Sequence, residues 1–297
     1  MNFRWIAVPI VLAATAAAQT GSGPALGWTL GEDGRSIQRI LGVPGAARLG
    51  QTIRLPDDLR SVRLNPGENF AVALAGSEGV PVLVNLEDPA QRTVLDHAMP
   101  GPDDAVWSSS GSALAIRYRD AGSVLVYRFA AGVLQFKNEV AAVADRIAIS
   151  DDGLAVLAMT DAGLSLYKGG DASVLASAQV PSFTFLALTQ IPALWMDGHL
   201  RIGDQTQDLT AGDGEGWLLS SATERRLVAV RSGTGEMMTF DAAGQLIQQT
   251  SEQIRCDCLV SGLEAFGRSG AVRLVTAGPG PLWVAETSRM FFVPREQ

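Results

Sequence analysis

The sequence predicts an all-β fold, and three observations carry that prediction. Short apolar runs alternate with polar residues at period two; Gly- and Asp-containing turn pairs recur between them; and no long stretch has helical periodicity. Asp33-Gly34, Asp152-Gly153 and Asp197-Gly198 supply tight turns between short strands. The alanine-rich stretch Val140–Ala144 is too short for a stable helix.

A repeat organises the strands. Val62-Arg-Leu-Asn-Pro-Gly67, Val106-Trp-Ser-Ser-Ser-Gly111 and Ile147-Ala-Ile-Ser-Asp-Asp-Gly153 each lead into a second apolar run, with their glycines 44 and 42 residues apart. Further strands follow in each unit, at Val80–Val84, Val124–Tyr127 and Leu164–Tyr167, then near Thr93–Leu95, Val133–Phe136 and Val174–Ala176. Four short strands every 40-odd residues is the spacing of a β-propeller blade. A shortened unit covers Phe183–Leu209, another covers Trp217–Gln249, and Leu259–Pro294 supplies the last. Gly27–Leu30, Ser36–Leu41 and Thr52–Leu55 make the vaguest unit, at the start. The expectation is a seven-bladed β-propeller. Its ring should close by Met290–Val293 sharing a blade with Gly27–Leu30. The alternative is a pair of tandem β-sandwiches divided near Pro181–Pro192, but Phe183, Phe185, Leu186 and Leu188 are unlike a linker.

Composition bounds the function. Hydrophobic residues make up 47% of 297 and charged residues 18%, which supports a large core and excludes wholesale disorder or a collagen-like chain. The formal net charge is −8 and the pI about 4.8. Only two basic residues are lysines, Lys137 and Lys168, and the arginines are scattered. Nucleic-acid binding and a polybasic membrane patch are both disfavoured.

The N-terminus has the layout of a secretory signal peptide. One positive charge precedes the apolar run Trp5–Ala14, and Ala16-Ala17-Ala18 fits a cleavage site before Gln19. The apolar stretch is shorter than the roughly 20 residues of a membrane span. Residues 1–18 are therefore expected to be a signal peptide, 19–25 a flexible lead, and 26–297 a single propeller domain, exported to the periplasm or beyond and without a membrane span after cleavage.

The repeated Ser/Asn-x-x-Gly segments, above all Ile149-Ser-Asp-Asp-Gly153, resemble the opening of WD40-like and TolB-like propeller blades. The Trp-Asp and Gly-His pairs of intracellular WD40 blades are absent. The resemblance implies a bacterial exported propeller that acts as a binding platform; fold analogy does not fix function.

Little catalytic chemistry is visible. His97 and His199 are far apart, and no G-x-S-x-G elbow, P-loop or strand-linked G-x-G-x-x-G is present. Cys256-Asp257-Cys258 favours an internal disulfide in an oxidising compartment, with free thiols or a metal or redox site as alternatives. Asp58, Asp103, Asp104 and Asp145 precede innermost-strand candidates, where entry loops gather at one mouth of a propeller channel. They could hold Ca²⁺, or serve as ordinary turn aspartates, and the arginines Arg60, Arg146 and Arg255 stand in the same loops. Trp107, Trp195, Trp217 and Trp283 fall within expected strands and read first as blade-to-blade packing; Trp107 and Trp217, on innermost-strand candidates, are the ones that would meet a ligand. The functional expectation is a non-enzymatic scaffold for a protein or small ligand, with no required cofactor. A metal-dependent propeller hydrolase or lactonase is the alternative.

Overall fold

The computed structural model describes residues 25–31, 33–43, 46–210, 216–222, 225–232, 234, 236–250, 260–266, 271–276, 282–286 and 289–293. The expected signal peptide, nearly all of the lead and the Cys256/Cys258 pair lie outside these residues. Every described element is a β-strand. Among the described residues no helix is long and apolar enough to cross a membrane.

Residues Ala25–Leu30 (β1), Ser36–Leu41 (β2) and Arg48–Arg54 (β3) form a three-stranded sheet. Four-stranded antiparallel blades follow. The first holds Leu59–Leu64 (β4), Phe70–Ala75 (β5), Val80–Asn85 (β6) and Arg92–Val94 (β7); the second holds Asp104–Trp107 (β8), Ala113–Tyr118 (β9), Ser123–Ala130 (β10) and Val133–Ala141 (β11). The third runs through Arg146–Ile149 (β12), Ala155–Thr160 (β13), Gly163–Lys168 (β14) and Asp171–Ala176 (β15). Ser182–Phe185 (β16), Pro192–Met196 (β17), His199–Ile202 (β18) and Gln205–Asp208 (β19) make the fourth. Trp217–Ala222 (β20), Arg226–Arg231 (β21), Met237–Phe240 (β22) and Leu246–Thr250 (β23) make the fifth. The sixth is Val260–Phe266 (β24), Ala271–Thr276 (β25), Leu282–Glu286 (β26) and Arg289–Val293 (β27).

The expected count of seven blades is thus corrected to six. The N-terminal unit falls short of a blade because the chain leaves β3 at Arg54 and begins β4 at Leu59, with no length left for a fourth strand. The three-stranded sheet stands between the sixth blade and the first, with β1 beside both β24 and β4. Closure by a shared strand is also corrected, since β27 pairs with β26 and β1 with β2. Packing closes the ring instead: Val293 and Ile40 are both fully buried against each other, with Leu26, Ala47 and Leu49 around them. The Pro181–Pro192 segment, the boundary of the sandwich alternative, lies within the fourth blade and its first turn.

Period-two alternation explains how one strand serves two interfaces. On β9, Leu114 and Ile116 face the first blade's Val72 and Leu83, while Ala113 and Ala115 face Ile147, Ile149 and Val156 of the third. On β13, Val156 and Ala158 join that second interface, and Ala155, Leu157 and Met159 turn to Phe185 and Leu194 of the fourth blade. Alanines on one face admit the neighbouring sheet closely where the ring narrows, and larger residues fill the other. Each fully buried leucine or isoleucine contributes about 1.5–3 kcal/mol.

Candidate functional site

The first strands of the sheets face the axis, and β1, β4, β8, β12, β16 and β20 line one central cavity of about 500 Å³. At one mouth lie the N-terminal ends of these strands. At the other lie the turns joining first to second strands, here called inner turns.

The inner turns share a local structure. The amide of the first turn residue donates to the carbonyl five residues on, at Gly31/Ser36, Asn65/Phe70, Ser108/Ala113, Ser150/Ala155 and Leu186/Ile191. In the Ser108 and Ser150 turns the serine Oγ also accepts from the closing amide, at 3.1 and 2.9 Å, and Gly111 and Gly153 take the left-handed φ the turn needs. Asn65 caps its own turn differently, its Oδ1 accepting from Gly67 and Glu68. By this hydrogen bond Glu68, and not Gly67, stands where the other two turns place glycine.

Asp151 ties three of these turns together. Its Oδ1 accepts from the amide and hydroxyl of Ser110 in the second blade, at 2.8 and 2.6 Å, and its Oδ2 accepts from the Leu188 amide of the fourth, at 2.6 Å. The Ser112 hydroxyl donates to its carbonyl. The side chain is buried. Beside it, burial opposes ionisation of Asp152, but hydrogen bonds from Gln190, Ser150 and the Leu154 amide outweigh that and hold its carboxyl below the usual range. On this belt two large apolar side chains face solvent: Leu154 is 64% exposed and Leu188 60%. Leu188 sits at φ 59°, a conformation that costs a branched residue energy and persists only where its surroundings enforce it.

The sequence-predicted site residues do not form one cluster. Asp58 pairs with Arg92 of the outermost strand β7 at 2.5 Å and is not among the residues lining the cavity. Asp103 is exposed, and its Oδ2 accepts from the Arg119 amide. Asp145 is half-buried and pairs with the Arg119 side chain at 2.9 Å. Asp104 does line the cavity, paired with Arg63 at 3.2 Å. Trp107 lines it as well, its Nε1 donating to the Arg63 carbonyl and its ring meeting Phe129 edge-on. Trp217 is buried between the fourth and fifth blades, with Nε1 donating to the Thr210 carbonyl. Asp58 and Asp145 thus face arginines that spend their charge, while Asp104 has one longer contact with Arg63. Among the described residues no group of three His, Cys, Asp or Glu side chains converges to hold a metal ion.

Of the other expected participants, Arg60 donates to the Ser77 carbonyl. Arg146 donates to Val180 and Pro181 and lies over the Phe183 ring; its burial pulls the guanidinium below its ordinary pKa. Arg255 lies outside the described residues. His97 and His199 are exposed, each beside one aspartate, and do not meet. A second polar knot was not anticipated: Trp28 Nε1 donates to Asn69, Asn69 to Glu87, and Arg39 pairs with Glu87 at 2.7 Å while lying over the Trp28 ring.

No protein-family model matches the chain, and no curated protein is similar to it in sequence. Solved structures are. The β-propeller domain of Cps50 (Swd1) from Myceliophteria thermophila matches with a TM-score of 0.55 at 16% identity, covering 83% of this chain and 90% of that one. A catalytically inactive virginiamycin B lyase from Staphylococcus aureus, solved with quinupristin, matches with a TM-score of 0.51 at 8% identity, covering 87% and 93%. Hsv2 from Kluyvelomyces marxianus is a looser likeness, with a TM-score of 0.42 at 13% identity over 77% of this chain and 99% of that one. At these identities the first two likenesses show the fold alone: a β-propeller.

Proposed function

We propose that the protein is an exported, non-enzymatic scaffold that binds a protein partner on its inner-turn face. The observation that carries this reading is the presentation of Leu154 and Leu188. Both are large, apolar and exposed, on turns of adjacent blades, and the buried Asp151 carboxylate holds the Leu188 backbone in place. Strain kept at an exposed position fits a contact residue better than a packing residue, since the side chain gains little from its own fold. Loops on a rigid frame are where propellers and other scaffolds carry recognition. At the opposite mouth, the self-paired aspartates and arginines favour binding over a metal-dependent hydrolase.

The exported address rests on the leader pattern in residues 1–18; N-terminal sequencing of the protein from an extracellular or periplasmic fraction should begin at Gln19. The binding surface is tested by affinity capture with Leu154→Ser/Leu188→Asn, asparagine being tolerant of the left-handed backbone. A dominant partner held by the native chain should be lost by the variant while its melting temperature stays at or above that of the native chain. Equal capture by both would remove this surface.

A further inference from the structure

We propose that the central cavity binds a small zwitterion, an amino acid or similar molecule with carboxylate and ammonium groups on neighbouring atoms, held by Arg63 and Asp104 beside Trp107. This site is separate from the inner-turn leucines and does not depend on them. The cavity, at about 500 Å³, lies within the ~300–1,000 Å³ usual for small-ligand sites.

Most of the polar lining is already committed. Asn65 donates to the Gly111 carbonyl and accepts two amides. Asn69 both accepts from Trp28 and donates to Glu87, and Arg39 is bonded to the same glutamate. Arg63 and Asp104 differ. A single Nη2–Oδ1 contact of 3.2 Å joins them, longer than the 2.5–3.0 Å of the pairs Arg92–Asp58, Arg39–Glu87, Arg119–Asp145 and Arg54–Asp57 and shorter than the 3.7 Å of Arg231–Glu236, a pair outside the cavity. Asp104 Oδ1 also accepts from the Ala105 amide. Asp104 Oδ2 and the other guanidinium N–H groups of Arg63 have no partner among the described residues. A planar fork of donors and a carboxylate oxygen are therefore available side by side on the cavity wall.

The backbone supports the same reading. β4 carries a bulge between Arg60 and Arg63, with Ser61 at φ 51°. The first-strand pairings β1/β2 and β24/β25 also shift, at Ala25/Gly27 and Val260/Gly262, whereas β8/β9, β12/β13, β16/β17 and β20/β21 do not. The β4 bulge is the one that immediately precedes a charged cavity-lining side chain. A bulge re-aims the side chains that follow it, and such kinks are frequent beside binding sites. Trp107 is fixed in advance: its Nε1 is bonded to the Arg63 carbonyl at 3.0 Å and its ring lies edge-on to Phe129. With its N–H committed, the indole has only its ring to contribute to a ligand in the cavity, as a partner for an ammonium or an apolar side chain. Little ordering is then left to the binding step.

Charge selects the class. A simple anion drawn to Arg63 meets Asp104 close by, and a simple cation drawn to Asp104 meets Arg63. A molecule carrying both charges a few ångströms apart satisfies both groups and displaces only the long contact between them.

The test is calorimetric titration of the purified full chain with L-phenylalanine, N-acetyl-L-phenylalanine, which lacks the ammonium charge, and phenethylamine, which lacks the carboxylate. Saturable binding of the amino acid is expected, weakened about tenfold or more when either charge is missing. Arg63→Gln and Asp104→Asn should each weaken it by a similar factor, with melting curves showing that the variants remain folded. Leu154→Ser/Leu188→Asn should bind the amino acid normally, so that failure of this site and failure of the partner surface are told apart. No saturable heat with phenylalanine, equal binding of the three probes, or folded Arg63→Gln and Asp104→Asn variants that bind like the native chain would overturn the proposal.

Discussion

Replacing Asp151 with alanine perturbs the junction of three blades at one atom group. The carboxylate accepts two bonds from Ser110 and one from the Leu188 amide, at 2.6–2.8 Å, and the residue is 8% exposed. Hydrogen bonds to a charged group are each worth about 1.5–3 kcal/mol, and a buried donor left unpaired costs about 1–3 kcal/mol. Against this, alanine removes a buried charge that has no cation among its bonded partners, recovering part of its desolvation cost. Water can also reach an opened turn. The net loss should be about 3 kcal/mol, which lowers the melting temperature of a domain this size by roughly 5 °C. Urea denaturation monitored by tryptophan fluorescence measures it. Asp171→Ala is the control, because Asp171 is exposed at the start of β15, and should change stability by less than about 0.5 kcal/mol. If Asp151→Ala costs no more than Asp171→Ala, the staple between blades does not exist as described.

Further outcomes follow from the same geometry. Val293→Ala should cost about 2 kcal/mol by opening a void at the closure of the ring against Ile40; a cost within experimental error would mean that the C-terminal strand does not close it. Burial raises the Tyr118 phenol to about 12, so its absorbance change near 295 nm should come about two pH units above that of the unfolded chain. Its folded pKa is the higher one, so its contribution is full below the ordinary value near 10 and is lost as pH rises towards 12. The Asp152 carboxyl is held low, so its contribution is present above the ordinary carboxylate pKa and is lost as pH falls through the folded one. Asp152→Asn should therefore flatten the acid limb of the stability profile, and an unchanged limb would contradict the assignment.

The strands were legible because each is short, alternating and bounded by turn residues. Leu114 and Ile116 against Ala113 and Ala115 already encode two interfaces in one strand. The blade count was not legible, because it depends on whether residues 25–58 form three strands or four, and drift in the repeat hides that difference. Glycine alignment misled at Asn65-Pro66-Gly67, where the backbone bond to Phe70 sets the register. The entry aspartates were recognisable as turn residues, but their arginine partners were not: Asp58 and Arg92 are 34 residues apart, and Arg63 and Asp104 are 41 apart. The link from Asp151 to Leu188 spans 37 residues and depends on a positive φ, which no local pattern at Leu188 announces. Leu154 left a readable trace, since an apolar residue directly after the turn glycine Gly153 is out of place in a solvated hairpin.

Site-specific photo-cross-linking in the producing cell tests the binding face most directly. A photoreactive residue is placed at 154, at 188, or at the outer-strand positions 94 and 174, where Val94 and Val174 are equally exposed at 62% and 67%. A scaffold that uses its inner turns should give the same adduct from 154 and 188 and none from 94 or 174. An adduct from the outer strands alone, equal labelling at all four, or none from the turns would contradict it.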